Sequence, residues 1–348
     1  MTDARTPTAY GRIFPPREDW LAGAAAEAVL EPDLEIVDTH HHFWDLPGHR
    51  YLLPELLADT GSGHNVVATV FIECGAMYRA DGPKELRCVG EVEFVAGIAA
   101  MAESGRYGPT RAAAGIVGFA DLTLGDAVEP VLEALIAAGG GRFRGVRHAA
   151  GWHQDPAIGN NHHGAGPGLY LRDDFRTGLA RLSARGLALD GLVYHSQHGD
   201  LIDLARACPE ASIVMNHTGM PLGYGPYRGK TDEVYAQWRK GIEALAELPN
   251  VVMKLGGMTM RLAAFDYNVI AAPPTAEELA GYWRPYIEPC IELFGAERCT
   301  FESNFPVDKM GIGYRALWNA FKHIAAGCSA AEKASLFAGT ARRVYRLA

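Results

Sequence analysis

No apolar run in this 348-residue chain approaches the roughly 18 residues needed to span a bilayer, which argues against a membrane protein. The first residues, MTDARTPTAYGRIFPPRED, lack the positive patch and apolar block of a signal peptide, so a cytoplasmic protein is expected. Cysteines are few and far apart: Cys74, Cys88, Cys208, Cys290, Cys299 and Cys328 form no Cys-x-x-Cys pair. That argues against a zinc ribbon or a disulfide framework, and the thiols read as buried apolar groups in a reducing compartment. There is no dense run of lysine and arginine, and the formal net charge is -9, so nucleic acid is not an expected partner. No Gly-x-Gly-x-x-Gly turn follows the first apolar segment, which removes the commonest dinucleotide-binding form. The 40 glycines and 20 prolines are scattered, and no linker or low-complexity segment divides the chain.

What is present is alternation. Apolar, β-branched runs read as strands at 34–40, 66–74, 114–122, 143–149, 187–196, 212–218, 250–257 and 298–304. Helical patterns separate them, for example DDFRTGLARLSARG, which opens on capping aspartates and closes on glycine. Strand then helix, repeated with near-continuous apolar strands, predicts an α/β fold of the (β/α)8 TIM-barrel type over 34–348. An open, doubly wound sheet is the competing architecture. Residues 1–33 read as an N-terminal arm with a short helix, and SAAEKASLFAGTARRVYRL as a closing helix.

Barrel active sites form at the C-terminal ends of the strands, so the polar residues there are the informative ones. The first strand ends in VDTHHHFWD. A two-residue period puts Asp38, His40 and His42 on one face and turns His41, a structural residue on this reading, the other way. Glu73, Arg147, His195 and His217 end strands two, four, five and six; Lys254 lies on strand seven, and Glu302 and Asn304 end strand eight. A single strand-end histidine is usually a hydrogen-bonded structural residue. Four at the same end of three strands form a set that chance would scatter. His162 and His163, in the glycine-rich stretch NNHHGAGPG, read as solvated.

These motifs (DTHHHFWD, FRGVRH, LVYHSQ, IVMNHTGMP, VVMKLGG, FESNFPVDK and TARRVYRL) resemble those of the amidohydrolase superfamily from about residue 34 to the end. The likeness is to its amidohydrolase-2 branch, which includes sugar lactonases and 2-pyrone-4,6-dicarboxylate lactonase. The resemblance implies that His40, His42, His195 and His217 surround a metal or its vacated site. It also implies a strand-eight aspartate serving as metal ligand and general base, in a Ser-Asp-Trp-Pro or Gly-Ser-Asp pattern. Here the matching residue is Asn304, which carries no charge and accepts no proton at neutral pH.

The expected cofactor is therefore none, or a weakly bound divalent zinc at the histidine cluster. The base must be another residue: Asp308 is favoured, with Glu302, Glu73 or a histidine as alternatives. Arg147 is a candidate for the electrophilic side, and Glu73, Tyr194, Trp152, Lys254 and Glu302 are candidates for binding substrate. GYGPYRG, after strand six, reads as part of a lid. The leading expectation is a hydrolase that opens a lactone of a small carboxylated or sugar-derived substrate. Two alternatives are a non-oxidative decarboxylase of an aromatic acid and a catalytically lapsed barrel that binds a small molecule. The sequence leaves homo-oligomerisation open.

Overall fold

A computed structural model describes residues 13–158, 165–259 and 271–348. Its eight-stranded sheet runs, in chain order, β1 Glu35–His41, β2 Asn65–Ile72, β3 Arg111–Gly118, β4 Phe143–Arg147, β5 Ala188–Gly191, β6 Ile213–Met215, β7 Val251–Leu255 and β8 Cys299–Phe301. Every neighbouring pair is parallel. The segment after β8 returns to β1: Asn304 N donates to His40 O and His42 N to Phe305 O, each at 2.8 Å. Helices Leu53–Thr60, Val89–Glu103, Glu129–Ala138, Asp173–Ala184, His198–Ala207, Thr231–Ala246, Ala276–Phe294 and Tyr314–Ile324 follow the strands in turn. A short hairpin, Trp44–Leu46 with His49–Tyr51, precedes the first of them. This is a nearly closed (β/α)8 barrel.

All eight expected strands are present, with shorter polar ends. The segments 187–196, 212–218 and 298–304 leave the ladder before their histidine or asparagine. At two of them the backbone explains it: His217 and Asn304 each have φ +55°, a left-handed conformation that no strand continues through. The third strand begins earlier than expected, at Arg111, because Arg-Ala-Ala carries little β signal.

Two apolar layers hold the barrel. The larger packs Ile36, Phe71, Ile116, Val146, Leu189, Ile213, Met253 and Phe301 against the helices. The smaller gathers Val37, Ala68, Val70, Ala114, Val117, Ala188 and Val214 with Ala338, Ala341 and Tyr345, so the C-terminal helix closes the inside of the ring. Above it sits a polar knot. Lys254 Nζ lies 2.6 Å from Asp190, the Tyr345 hydroxyl donates to Asp190 at 2.8 Å, and Asn216 Nδ2 donates at 3.0 Å. Buried charges persist only when paired in this way.

Residues before β1 are tied to the barrel: Leu30 N donates to Asn319 at 2.9 Å, and Lys322 donates to the carbonyls of Leu30 and Glu31 at 2.7 and 2.9 Å. Among the described residues, no helix is long and apolar enough to cross a membrane. His162 and His163 lie outside the described residues.

Candidate active site

The end of β1 carries three imidazoles, and their surroundings divide them. His41 is buried beside Phe43 and Phe71, its Nε2 2.8 Å from the Thr69 hydroxyl. Burial lowers it to about 3, so it stays neutral. The rings of His40 and His42 lie together at 4.9 Å. The Asp38 carboxylate touches His40 through the backbone, accepting from His40 N at 3.3 Å. The register shifts between Asp38 and His41, and the Asp38 carboxylate accepts from Ser303 N at 2.9 Å and the Tyr314 hydroxyl at 3.0 Å.

Glu302 organises the centre. Its Oε1 accepts from His217 twice, from the backbone N at 3.1 Å and from Nδ1 at 2.7 Å. Its Oε2 lies 2.8 Å from His40 Nδ1, close but off the line of a hydrogen bond. Burial alone would raise this carboxyl; the charge and hydrogen bonds of His217, with the charge of Lys254, outweigh it and hold the group below its usual value. Two glycines after β7 make room. A Cβ on Gly256 would lie 2.5 Å from Glu302 Cγ, and one on Gly257 would lie 2.4 Å from His217 Nδ1.

Arg147 supplies a fixed positive charge. Its Nε donates to Glu73 Oε1 at 2.6 Å, its Nη2 to the Glu73 carbonyl, and its Nη1 approaches His40 Nε2 at 3.3 Å. A guanidinium only donates, so His40 Nε2 presents its lone pair and the ring proton sits on Nδ1, facing Glu302. Burial first, and then the charges of Lys254 and Arg147, hold His40 far below the ordinary histidine value, which keeps it neutral. His42 donates from Nδ1 to the Ile72 carbonyl at 2.8 Å, leaving Nε2 free of the ring proton.

The remaining candidates are placed as follows. Lys254 is wholly buried on Asp190, so it acts on Glu302 and His40 through its charge rather than by touching a substrate. Asp308 is buried; its Oδ1 accepts from Asn304 Nδ2 at 2.9 Å and its Oδ2 from Thr259 N at 3.4 Å. Burial, reinforced by the Glu302 charge, raises it to about 7. The Asn304 Oδ1 is buried without a hydrogen-bond partner among the described residues. His195 is not gathered with His40 and His217: its Nδ1 accepts from Leu222 N at 3.3 Å and its ring lies 4.7 Å from that of Tyr227. Tyr194 is buried with Ile158, Met220 and Leu222, and half-buried Trp152 is held through its N–H by Gln197 at 2.8 Å.

His40, His217 and Glu302 each bring one ligand atom within 4.8 Å of the others, so the cluster could hold a metal ion. Two features oppose tight binding. Both imidazoles turn Nδ1 toward the carboxylate, and Arg147 claims the other nitrogen of His40. The strand-eight position that would supply an anion is the neutral Asn304, already joined to Asp308. This donor set does not fit a tightly held resident ion.

The glycine cradle gives a direct expectation. Gly257 has φ +66°, and Gly257→Ala would drive a methyl group into the His217 ring. Turnover, measured as kcat/KM, should fall about 10²-fold, the scale on which a misplacement of about 1 Å acts. Unchanged kinetics in a folded variant would show that the His217 position is not critical.

Comparison with known proteins agrees with the geometry. The model of the amidohydrolase family matches residues 37–347. An uncharacterised protein of Sinorhizobium fredii is 32% identical over 337 residues, covering 90% of this chain and 99% of its own. An L-fucono-1,5-lactonase of Burkholderia multivorans is 27% identical, covering 89% and 96%. The crystal structure of a Burkholderia multivorans amidohydrolase with bound zinc shares the fold with a TM-score of 0.69 at 24% identity, covering 90% of this chain and 99% of that one. The chain belongs to the amidohydrolase family.

Proposed function

We propose that this protein hydrolyses a small lactone, with neutral sugar lactones as the leading substrate class and without need of a tightly bound metal. The observation that carries the reading is Glu302 holding His217 by Nδ1. That contact fixes the tautomer in which Nε2 is the basic nitrogen, the arrangement by which a carboxylate equips a histidine for acid–base work. Water attacks the ring carbonyl as His217 Nε2 takes its proton. The carbonyl oxygen becomes an oxyanion beside the fixed charge of Arg147. Collapse breaks the ring C–O bond, and the proton passes from His217 to the departing alkoxide, giving the open hydroxy acid. Alkoxide is a better leaving group than an amide anion, so an ester demands less carbonyl activation than an amide.

Arg147 also bears on the substrate. Its guanidinium is engaged by Glu73 through both Nε and Nη2, so an incoming carboxylate would have to compete with Glu73. This favours a neutral sugar lactone over a dicarboxylate, in line with the activity of the Burkholderia relative.

A second reading assigns the base to Asp308. Its value of about 7 suits proton transfer at neutral pH. In that case kcat/KM would rise with pH through about 7, as Asp308 loses its proton, and Asp308→Asn would abolish both the limb and the activity. On the His217 reading Asp308→Asn stays within about 10-fold of the parent.

A panel of lactones, esters and aromatic acids, followed for ring opening and carbon dioxide release, tests the function. A six-membered sugar lactone should open. Carbon dioxide released from an aromatic acid, with no lactone turned over, would make the protein a decarboxylase. Binding without turnover of anything would make it a lapsed barrel.

A further inference from the structure

A second group of imidazoles sits after the neighbouring strands, apart from the Glu302 cluster. His195 follows β5, His153 lies in the segment after β4, and Tyr227 belongs to the segment after β6. The backbone donors assign their protons. Leu222 N donates to His195 Nδ1 at 3.3 Å, so the ring hydrogen of His195 is on Nε2. That Nε2 is buried and has no hydrogen-bond partner among the described residues, and His195 as a whole is 1% exposed. Asp155 N donates to His153 Nδ1 at 3.0 Å, so His153 carries its hydrogen on Nε2. That hydrogen points at the Tyr227 hydroxyl, 3.2 Å away. Tyr227 therefore accepts from His153, and its own hydrogen is left to donate elsewhere. The rings of His195 and Tyr227 meet edge to face at 4.7 Å.

Among the described residues the buried His195 N–H thus has no acceptor, and the half-buried Tyr227, whose ring lies against that imidazole, keeps a hydroxyl hydrogen to donate. Buried donors are seldom left unpaired, and the exceptions call for an explanation such as a ligand. We propose that His195 and Tyr227 form a donor subsite for a hydroxyl oxygen of a sugar lactone, with His153 as the residue that positions the tyrosine hydroxyl. The proposal rests on the lactonase reading and deepens it by naming how the sugar is distinguished from a bare ring.

The chemistry of the surroundings selects a neutral oxygen. Ile158, Tyr194, Met220 and Leu222 form an apolar cluster there, with Tyr224 and Tyr227 packed against it. Among the described residues, the ionisable neighbours that act most on His195 are the imidazoles of His198 and His153. Burial, with those two, lowers His195 to about 4, so it is neutral when the enzyme works. A carboxylate desolvated against this group would lack a cation, whereas a hydroxyl needs only the two donors and offers its own hydrogen outward.

The test is Tyr227→Phe, which removes one oxygen from a half-buried ring. Steady-state kinetics would compare a polyhydroxylated six-membered sugar lactone with unsubstituted δ-valerolactone. The sugar lactone should lose about 10-fold in kcat/KM, carried by KM, the scale of one hydrogen bond in a desolvated pocket. The bare lactone should change by less than about 2-fold. An equal loss for both, or a loss for neither, overturns the subsite while leaving lactone hydrolysis intact. His153→Ala should show the same split between substrates, and an equal loss for both lactones would refute its positioning role.

A second measurement is independent of turnover. Calorimetric binding of a 1,5-anhydrohexitol, which keeps the sugar hydroxyls but has no carbonyl, should be about 10-fold weaker in Tyr227→Phe than in the parent. That result, in a protein that opens no lactone, would support the subsite and defeat the lactonase reading. Equal affinities, or no binding to the parent, would overturn the subsite.

Discussion

Glu302→Gln should lower kcat/KM for lactone opening by about 10²- to 10³-fold, the range for loss of an acid–base group or its orienting carboxylate. The parent carboxylate lies between two imidazole Nδ1 atoms, 2.7 Å from His217 and 2.8 Å from His40. A glutamine has one acceptor oxygen, so its amide nitrogen must face one of those histidines. A donor facing His217 Nδ1 would move the ring proton to Nε2, where the attacking water needs a lone pair. The negative charge that stabilises the imidazolium formed on proton uptake is lost as well. His217→Asn, which removes the ring itself, should fall by at least about 10²-fold. Arg147→Met should do likewise by removing the charge beside the oxyanion. A Glu302→Gln enzyme with more than about a tenth of parental kcat/KM would show that the carboxylate is only a structural clasp.

The second large effect concerns zinc. Protein purified in trace zinc should carry well below one equivalent by elemental analysis, and a chelator should leave most of its activity. Asn304→Asp should then raise zinc affinity by at least about 10²-fold, since an anion in direct contact with the metal counts for more than the outer partners whose loss costs 10- to 100-fold. The environment amplifies the change. Asn304 Nδ2 now donates to Asp308 at 2.9 Å. The substitution would place two carboxylates together near Glu302, a repulsion that a divalent ion relieves. Stoichiometric, tightly held zinc in the parent would mean that His40, His217 and Glu302 suffice without that aspartate.

The barrel was legible in the sequence because parallel strands buried on both faces read as unbroken apolar runs, and each of the eight is found where its run lies. What the two-residue period could not foresee was the irregularity of β1 between Asp38 and His41. Strand-end position drew attention to His40, His217, Arg147 and Glu302, which lie against one another in the fold. It could not separate His195 from them, because that depends on how the segment after β6 folds back to put Leu222 N on the ring. The pairing of Lys254 had a signal: Asp190 stands inside an otherwise apolar strand, and such a residue requires a buried partner. His153 and Tyr227 offered none, since only the tertiary contact between two loops joins them.

The central claim is that Glu302 and His217 open a lactone without a tightly bound ion. The most direct measurement is the initial rate of ring opening of a six-membered sugar lactone by chelator-treated parent and His217→Asn proteins of known zinc content. The account predicts that the parent, with less than about a tenth of an equivalent of zinc, keeps most of its rate, and that His217→Asn loses at least about 10²-fold. A parent rate that vanishes on chelation and returns in proportion to added zinc would contradict it.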